Sequence, residues 1–378
     1  MTSATSVVVA ALFTACFFTS CKKINDDGPS PSNQQVIVTT LAGGGIGDPN
    51  TVTNAIYGQI GAANGIGTAA SFYAPGGVVI DAAGNIYIGE AGNHDIRKIT
   101  PAGVVTTLAG NVIGGWANGT GTAASFSSLQ AITIDGAGNL YVADSGNQLI
   151  RKITPDGTVS TLAGTAGVIG ADNGPAASAT FDAPAGVAVD ASGNVYVADF
   201  GNRMIRKIST DGMVTTLAGS NTGPAGYNNG PGATATFTSP ERLAVDGAGN
   251  IYVSDFSTIR KITPDGIVSS FAGRNTPETD GYDARIDGKG ATASFVVADG
   301  IATDAAGNVY VGDIGAIRKI TPDGTVTTLA GGGPGNATDG IGAQASFGIL
   351  RGLAVNPSGN LIYVSDYLTS LVRKVEMK

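Results

Sequence analysis

Residues 184–219 read PAGVAVDASGNVYVADFGNRMIRKISTDGMVTTLAG, and this stretch decides the fold. It holds four short runs rich in Val and Ile, GVAV at residues 186–189, VYVA at 195–198, IRKI at 205–208 and VTTL at 214–217. Turn sequences rich in Asp, Gly and Asn separate the runs, and these residue types favour tight turns. Short runs of this kind joined by tight turns indicate four antiparallel strands.

The same unit recurs along the chain. An Asp-x-x-Gly-Asn turn followed by an apolar-Tyr-apolar strand begins at Asp81, Asp135, Asp190, Asp246 and Asp304, with a variant at Asn356. Successive copies start 52 to 58 residues apart. Six copies of a four-stranded unit predict an all-β, six-bladed β-propeller.

The two ends of the chain complete one blade. The sixth copy stops after its third strand, at residue 378, and so lacks its outermost strand. Residues 38–43 repeat the fourth-strand sequence of residues 105–110 and 326–331, yet precede every complete copy. We expect them to pair into the last blade, because closing the ring removes an exposed sheet edge. This predicts one domain over residues 36–378.

Residues 184–199 and 201–207 resemble an NHL repeat, and the resemblance extends from residue 36 to the end of the chain. It implies a propeller that presents its loops to proteins, glycans or RNA. Some relatives are lyases or lactonases, so the resemblance does not by itself define an activity.

Composition agrees with a folded, weakly charged β protein. Glycine and proline number 58 and 16 of 378 residues, whereas charged residues make up only 13% and hydrophobic residues 42%. These values exclude a charge-rich disordered chain and a long coiled coil. The net charge is −8 without a Lys/Arg stripe, which argues against a nucleic-acid partner.

The amino-terminal segment predicts export and lipidation. Residues 7–18 are apolar and uncharged, too short to span a membrane but suited to a signal peptide. Cys16 and Cys21 are the only cysteines, and the residues before Cys21 resemble a bacterial lipoprotein signal. The prediction is a signal peptide over 1–20, lipidation at Cys21 and a flexible tether over 21–35. The alternative is ordinary secretion with an incidental cysteine.

This segment also predicts a location. A lipid on Cys21 would hold the propeller outside the cytoplasm, and Asp26-Asp27 resembles acidic signals of surface-exposed lipoproteins. We therefore expect a lipid-anchored protein of the outer membrane or cell surface.

Residues found in every copy are interpreted as the propeller framework. They include a Tyr, a Phe and an Arg-Lys pair in each blade, from Arg97-Lys98 to Arg373-Lys374. Each Arg follows an acidic residue by five or seven positions, as Arg206 follows Asp199. An ion pair across the turn is favoured over a catalytic role.

Aromatic residues outside this framework fall mostly on one face. In a four-stranded meander the second turns and the blade connections share a face, and here the connections vary in length. Candidate ligand-binding aromatics on this variable loop face are Trp116, Tyr227, Phe200, Phe256 and Tyr367. Such side chains suit stacking on sugars or anchoring a peptide. The alternative is that they pack the loops together.

The channel mouth offers a second set of candidates. Positions four and five after each repeat Phe precede the innermost strand, and here the copies differ. They are Gly76-Gly77, Gln130-Ala131, Ala185-Gly186, Glu241-Arg242, Asp299-Gly300 and Arg351-Gly352. The charged members on the last three blades predict a mixed-charge pocket, to which Gln130 would contribute. The alternative is that these charges only pair with one another.

The chain lacks the residues of several catalytic sites. Its one histidine, His94, lies in a second turn, which supports neither a zinc site nor a Ser-His-Asp triad. The sequence therefore predicts no catalytic residues and no resident metal, and a non-enzymatic platform for a glycan, peptide or envelope protein.

Two other functions stay open. Resemblance to calcium-dependent lactonases allows a hydrolase with Glu241 and Asp299 at the channel mouth. A purely architectural propeller is the third possibility.

Overall fold

The structure, a computed structural model, describes residues 35–44, 60–274, 285–335 and 337–378. The predicted signal peptide, Cys21 and most of the predicted tether lie outside the described residues. The described chain forms six antiparallel sheets of five strands each. No α-helix occurs among these residues, so the predicted all-β six-bladed propeller is confirmed.

The blades are numbered here in chain order, and their strands run from the channel outward. The innermost strands are Pro75–Ile80, Leu129–Ile134, Pro184–Val189, Pro240–Val245, Ala298–Thr303 and Leu350–Val355. The second strands are Ile86–Glu90, Leu140–Asp144, Val195–Asp199, Ile251–Asp255, Val309–Asp313 and Leu361–Asp366. The third strands are Asp95–Ile99, Leu149–Ile153, Met204–Ile208, Thr258–Ile262, Ala316–Ile320 and Leu371–Met377.

The outer part of each blade holds one strand more than the four read from the sequence. The fourth strands are Val104–Gly110, Thr158–Ala163, Met213–Gly219, Ile267–Gly273, Thr325–Gly331 and, in blade 6, Val36–Ala42. Beyond them lie two-residue strands, Gly65–Ile66, Gly119–Thr120, Gly174–Pro175, Gly230–Pro231, Gly288–Lys289 and Gly340–Ile341. Short 3₁₀ turns span Gly67–Ala69, Gly121–Ala123, Ser145–Asn147, Gly290–Thr292 and Gly342–Gln344. Two residues are too few to show a period in the sequence, so the fifth strand becomes visible only in the sheet.

The amino-terminal strand closes the ring as predicted. Val36–Ala42 lies between Leu371–Met377 and Gly340–Ile341, and Val38 pairs with Val375 on one side and Gly340 on the other. Val38 is 1% exposed. The first and last strands of the propeller therefore share one sheet.

The core lies between blades. The apolar cluster between blades 2 and 3, for example, joins Tyr141 and Ile150 of blade 2 to Phe181 and Val197 of blade 3. Equivalent clusters recur around the ring. The recurrent Tyr and Phe side chains thus belong to the framework.

The recurrent arginines are fully buried. In blade 3, Arg206 Nη1 contacts Asp199 Oδ2 at 2.8 Å and donates to the Thr180 carbonyl, while its guanidinium lies 5.3 Å from the Phe181 ring centroid. Five blades form this ion pair with the acid that ends the second strand. In blade 6 the arginine pairs with a different acid: Arg373 contacts Asp339 at 2.6 Å instead of Asp366 at the end of the second strand. These contacts agree with the framework interpretation.

Candidate functional site

The innermost strands begin at the variable loop face, so their first residues surround the channel mouth. Glycine at the fifth position after the repeat Phe has a steric cause. A Cβ on Gly186 would lie 2.4 Å from the Glu241 carbonyl oxygen, and one on Gly352 would lie 2.3 Å from that of Gly76. Adjacent strands approach too closely there for a side chain. Arg242 is the exception, because it carries a long side chain at this position.

The side chain of Arg242 lies across the channel. Its Nη1 donates to the Ala185 carbonyl of blade 3 at 3.0 Å, and its Nε donates to the Arg351 carbonyl of blade 6 at 3.3 Å. The same Nε lies 3.3 Å from Asp299 Oδ1 of blade 5. Blades 3 and 6 are opposite in a six-bladed ring, so the guanidinium is near the channel axis.

Asp299 lies between two guanidinium groups. Besides Arg242, Arg351 Nε lies 3.8 Å from Asp299 Oδ2. Neither contact has hydrogen-bond geometry, and Asp299 Oδ1 and Arg351 Nε are buried without a hydrogen bond from the described residues. Buried polar atoms are normally hydrogen-bonded, so these two atoms are exceptions whose hydrogen-bonding capacity is unused.

Glu241 adds a titratable group to the mouth. Burial and the negative charge of Asp299 raise the pKa of Glu241 to about 7, against the opposing effects of Arg242, Arg351 and a hydrogen bond with Ser239. The protonation state of this carboxyl group therefore changes near neutral pH.

Arg351 is the more accessible of the two arginines. Its side chain is 31% exposed, whereas that of Arg242 is 6% exposed. The Arg351 guanidinium lies 3.9 Å from the ring centroid of Tyr367, and Nη1 donates to Gln130 Oε1 of blade 2 at 3.3 Å. The structure thus brings together Gln130, Glu241, Arg242, Asp299 and Arg351, as the repeat comparison predicted, and adds Tyr367 to them. The sequence placed Tyr367 in a second turn but carried no signal for its contact with Arg351.

Below this cluster the channel holds two cavities. A small one of about 30 Å³ touches Arg242 and Arg351. A larger one of about 240 Å³ is lined by the later residues of all six innermost strands, such as Val79, Ile134 and Val245. Arg242 lies between this larger cavity and the mouth.

The other aromatic candidates do not join the mouth cluster through any contact found among the described residues. Trp116 and Phe200 are 63% and 39% exposed. Phe256 is half-buried with a φ of +59°, and its carbonyl accepts a hydrogen bond from Ala298. Tyr227 is also half-buried, and the guanidinium of Arg260 lies 6.0 Å from its ring centroid. Tyr227 therefore packs within its own blade, which agrees with the alternative that such residues pack the loops.

His94 links two blades. Its Nδ1 accepts a hydrogen bond from the Ser128 N–H of blade 2 at 3.4 Å, and its φ is +56°. The equivalent Gln148 accepts one from the Ala183 N–H of blade 3. A side chain at this turn position therefore bridges to the next blade, and His94 has a structural contact to explain it.

No group of three or more His, Cys, Asp or Glu side chains among the described residues is arranged to hold a metal ion. No helix there has the length and apolarity to cross a membrane.

Comparison with known proteins gives a consistent result. Residues 167–227 match the family model of the Teneurin NHL domain. Teneurin-3 of Danio rerio is 26% identical over 354 residues, covering 82% of this chain and 12% of the relative. NHL repeat-containing protein 2 of Bos taurus is 28% identical over 342 residues, covering 80% of this chain and 46% of the relative. The chain therefore spans less than half the length of these curated relatives.

Among solved structures, an auxiliary nutrient binding protein from Bacteroides thetaiotaomicron VPI-5482 has a similar fold. The TM-score is 0.65 at 15% sequence identity, over 91% of this chain and 77% of that one. At this identity the similarity concerns the fold alone. The sequence matches and the six-bladed ring together support an NHL-repeat propeller family for this chain.

Proposed function

We propose that this protein is a non-enzymatic binding platform whose ligand docks at the channel mouth on the variable loop face. The observation that carries the proposal is the convergence of polar side chains from four blades at one point, where the Arg351 guanidinium lies over the Tyr367 ring. A rigid ring that places a few polar groups in one concave site is typical of ligand binding. The ligand is a glycan, a peptide or part of an envelope protein.

The fold neighbour described as an auxiliary nutrient binding protein supports a binding role for such a propeller. The proposal also includes a lipid anchor on Cys21, which would hold the propeller outside the cytoplasm at the outer membrane or cell surface. The support for this part is the signal-like sequence that ends at Cys21.

The lactonase alternative requires calcium, and the mouth does not fit a calcium ion. Calcium takes six to eight oxygen ligands. Glu241 and Asp299 are the carboxylates at the mouth, and Asp299 already faces two guanidinium groups. A divalent cation beside Asp299 would be repelled by Arg242 and Arg351, so the mouth does not suit calcium-assisted hydrolysis.

The test is thermal unfolding of the protein with calcium, with chelator and with a panel of glycans and peptides. A ligand at 100 times its dissociation constant adds about 2.7 kcal/mol to the free energy of unfolding. We expect no calcium effect, and a shift with at least one compound that Tyr367→Ala abolishes. Tyr73→Ala is the control, because Tyr73 is 43% exposed and belongs to a blade connection. Calcium stabilisation that Asp299→Asn removes would instead support the hydrolase.

The anchor is tested separately in cells that express the full chain. Metabolic labelling with palmitate should mark the wild type and Cys16→Ser, and both should fractionate with membranes. Cys21→Ser should be unlabelled. Labelling that persists in Cys21→Ser would overturn the anchor assignment.

A further inference from the structure

We propose that the channel mouth recognises a carboxylate group, which the guanidinium of Arg351 binds and Arg242 stops from passing deeper. This inference rests on the proposed platform function and names the chemical class of its ligand. The carboxylate belongs to a sugar acid or to a peptide, because both present the same group to an arginine.

Arg242 serves as the floor of the site. Its guanidinium contacts the Ala185 carbonyl, the Arg351 carbonyl and Asp299, and the residue is 5% exposed. An arginine held on three blades is too constrained to follow a ligand. It keeps a positive charge at the bottom of the mouth.

Arg351 has the features of a receptor. Its guanidinium lies over the Tyr367 ring, 3.9 Å from the centroid, and the side chain is 31% exposed. Its contacts to protein acceptors are long, 3.3 Å to Gln130 and 3.8 Å to Asp299. Arg351 Nη2 donates no hydrogen bond within the described residues. A planar guanidinium that keeps an unused donor suits charge-assisted binding of a carboxylate.

The local charge also favours an anion. The mouth carries two arginines against Asp299 and Glu241, in a chain whose net charge is −8. When Glu241 is protonated, the mouth holds one net positive charge. When Glu241 ionises, that excess is cancelled.

Binding is therefore linked to pH. Glu241 faces Asp299 of blade 5, Arg351 of blade 6, and Arg242 and Ser239 of its own blade. Among these groups Glu241 has its pKa raised to about 7. A carboxylate ligand is repelled by ionised Glu241, so the affinity should fall as the pH rises through 7.

The experiment is isothermal calorimetry on the intact propeller at pH 6 and pH 8. The acidic probes are D-glucuronate and N-acetyl-dialanine, which distinguish a sugar acid from a peptide. Their neutral matches are D-glucose and N-acetyl-dialanine amide. We expect at least one acidic probe to bind more tightly than its neutral match at pH 6.

The variants use residues that other blades already carry. Arg351→Gln introduces the side chain found at Gln130, and a charge-assisted bond is lost, so binding should weaken at least about tenfold. Arg203→Gln is the matched control, since Gln148 is its equivalent and Arg203 bonds the Gly223 carbonyl instead. It should bind as the wild type does. Glu241→Gln should abolish an about tenfold loss of affinity between pH 6 and pH 8.

The outcomes separate the two proposals. Equal binding of acidic and neutral probes, or unchanged binding by Arg351→Gln, overturns the carboxylate inference and keeps the platform. Binding of neutral compounds alone does the same. If neither these probes nor the glycan and peptide panel bind to the wild type, both proposals fail.

Discussion

At the scale of single residues, one carboxylate organises the first turn of blades 1 to 5. In blade 3, Asp190 Oδ1 accepts hydrogen bonds from the backbone N–H groups of Ser192 and Asn194, both at 2.9 Å. Its Oδ2 accepts from the Asn194 side chain at 2.8 Å and from the Tyr196 hydroxyl at 3.0 Å. Burial alone would raise the pKa of Asp190, but these hydrogen bonds outweigh it and hold the pKa below its ordinary value.

Replacement of this carboxylate should destabilise blade 3. Asp190→Ala leaves four donors without their acceptor, and we expect the free energy of unfolding to fall by about 1–3 kcal/mol. Urea denaturation measures the change. Asp190→Asn is the control and should lose less, because blade 6 naturally carries Asn356, whose Oδ1 accepts from Asn360 and Leu361.

The same turn predicts a pH effect. Since its folded pKa is lowered, the stability that Asp190 contributes is present above about pH 4. It is lost as the pH falls through the lower folded value. An Asp190→Ala protein as stable as the wild type at pH 7 would contradict this role.

Blade 1 departs from its siblings at one buried residue. Asp95 is 3% exposed and lies beside Glu90 and Arg97, whereas the equivalent residue of blade 2 is Leu149. Its Oδ1 has no hydrogen bond from the described residues. Burial, followed by the negative charge of Glu90, raises the pKa of Asp95 well above its ordinary value. The carboxyl groups of Glu90 and Asp95 therefore share one arginine, Arg97, in a buried site.

Asp95→Leu should stabilise the protein. Replacement of buried charges by well-packed apolar residues is often neutral or stabilising by about 1–4 kcal/mol, provided that no charge is left unpaired. That condition is met here, because Arg97 keeps its contact with Glu90. Because the folded pKa of Asp95 is raised, its contribution is fully present below about pH 4 and is lost as the pH rises towards that raised value. The gain from the substitution should thus be larger at pH 7 than at pH 4, as measured by urea denaturation. A loss of stability, or an equal gain at both values, would contradict the explanation.

At the scale of strands, ring closure depends on Val36–Ala42. This strand covers both Leu371–Met377 and Gly340–Ile341, and Val38 and Ala42 are buried. Thr40 also donates to Asp339, which in turn accepts from the buried Arg373. The strand thus contributes backbone pairing on both of its sides and one side-chain hydrogen bond to blade 6.

Removal of this strand should disrupt blade 6. A chain that begins at Gln35 should unfold cooperatively at the same temperature as the longer protein. A chain that begins at Gly44 leaves the edge of Leu371–Met377 unpaired, which favours aggregation. Thermal unfolding and size-exclusion chromatography compare the two, and a peptide of residues 35–44 should restore the monomer. Identical behaviour of both chains would show that closure does not need the strand.

This closure was predictable because a strand keeps the sequence of its position in the repeat. Residues 38–43 match other fourth strands, so their partner followed from the missing strand of blade 6. The two-residue outer strands share a Gly at their first position, but they are too short to show the period of a strand. A few backbone pairs to the fourth strand hold them in the sheet.

At the scale of the whole molecule, Arg242 connects four blades across the channel. Arg242→Gly introduces the residue found at Gly186 and Gly352 and leaves Asp299 with Arg351 as its cation. Removal of one partner from a buried ion pair costs about 3–5 kcal/mol. We expect a loss near the lower end of that range in urea denaturation, since Arg351 remains.

A double-mutant cycle checks the cause. Asp299→Asn removes the charge that Arg242 neutralises, so the double variant should lose less than the sum of the single losses. A crystal structure of Arg242→Gly should show the cavity of about 240 Å³ continuous with the mouth. Additive losses would show that the two side chains are not energetically coupled.

The number of blades and the four longer strands of each were predictable from the sequence alone. Six copies, their tight turns and the displaced fourth strand follow from local periodicity, because strand and turn propensities act over a few residues. Comparison of the copies also identified Gln130, Glu241, Arg242, Asp299 and Arg351, since a position that varies within a rigid repeat is free of the framework's constraints.

The contacts among these residues, by contrast, depend on the tertiary structure. Arg351 and Gln130 are 221 positions apart, and their contact exists because the ring brings blades 6 and 2 to one channel. The span of Arg242, the stacking of Arg351 on Tyr367 and the raised pKa of Glu241 have the same origin. Electrostatic and stacking energies depend on distances of a few ångströms. Closure of the ring sets those distances, and no single repeat encodes them.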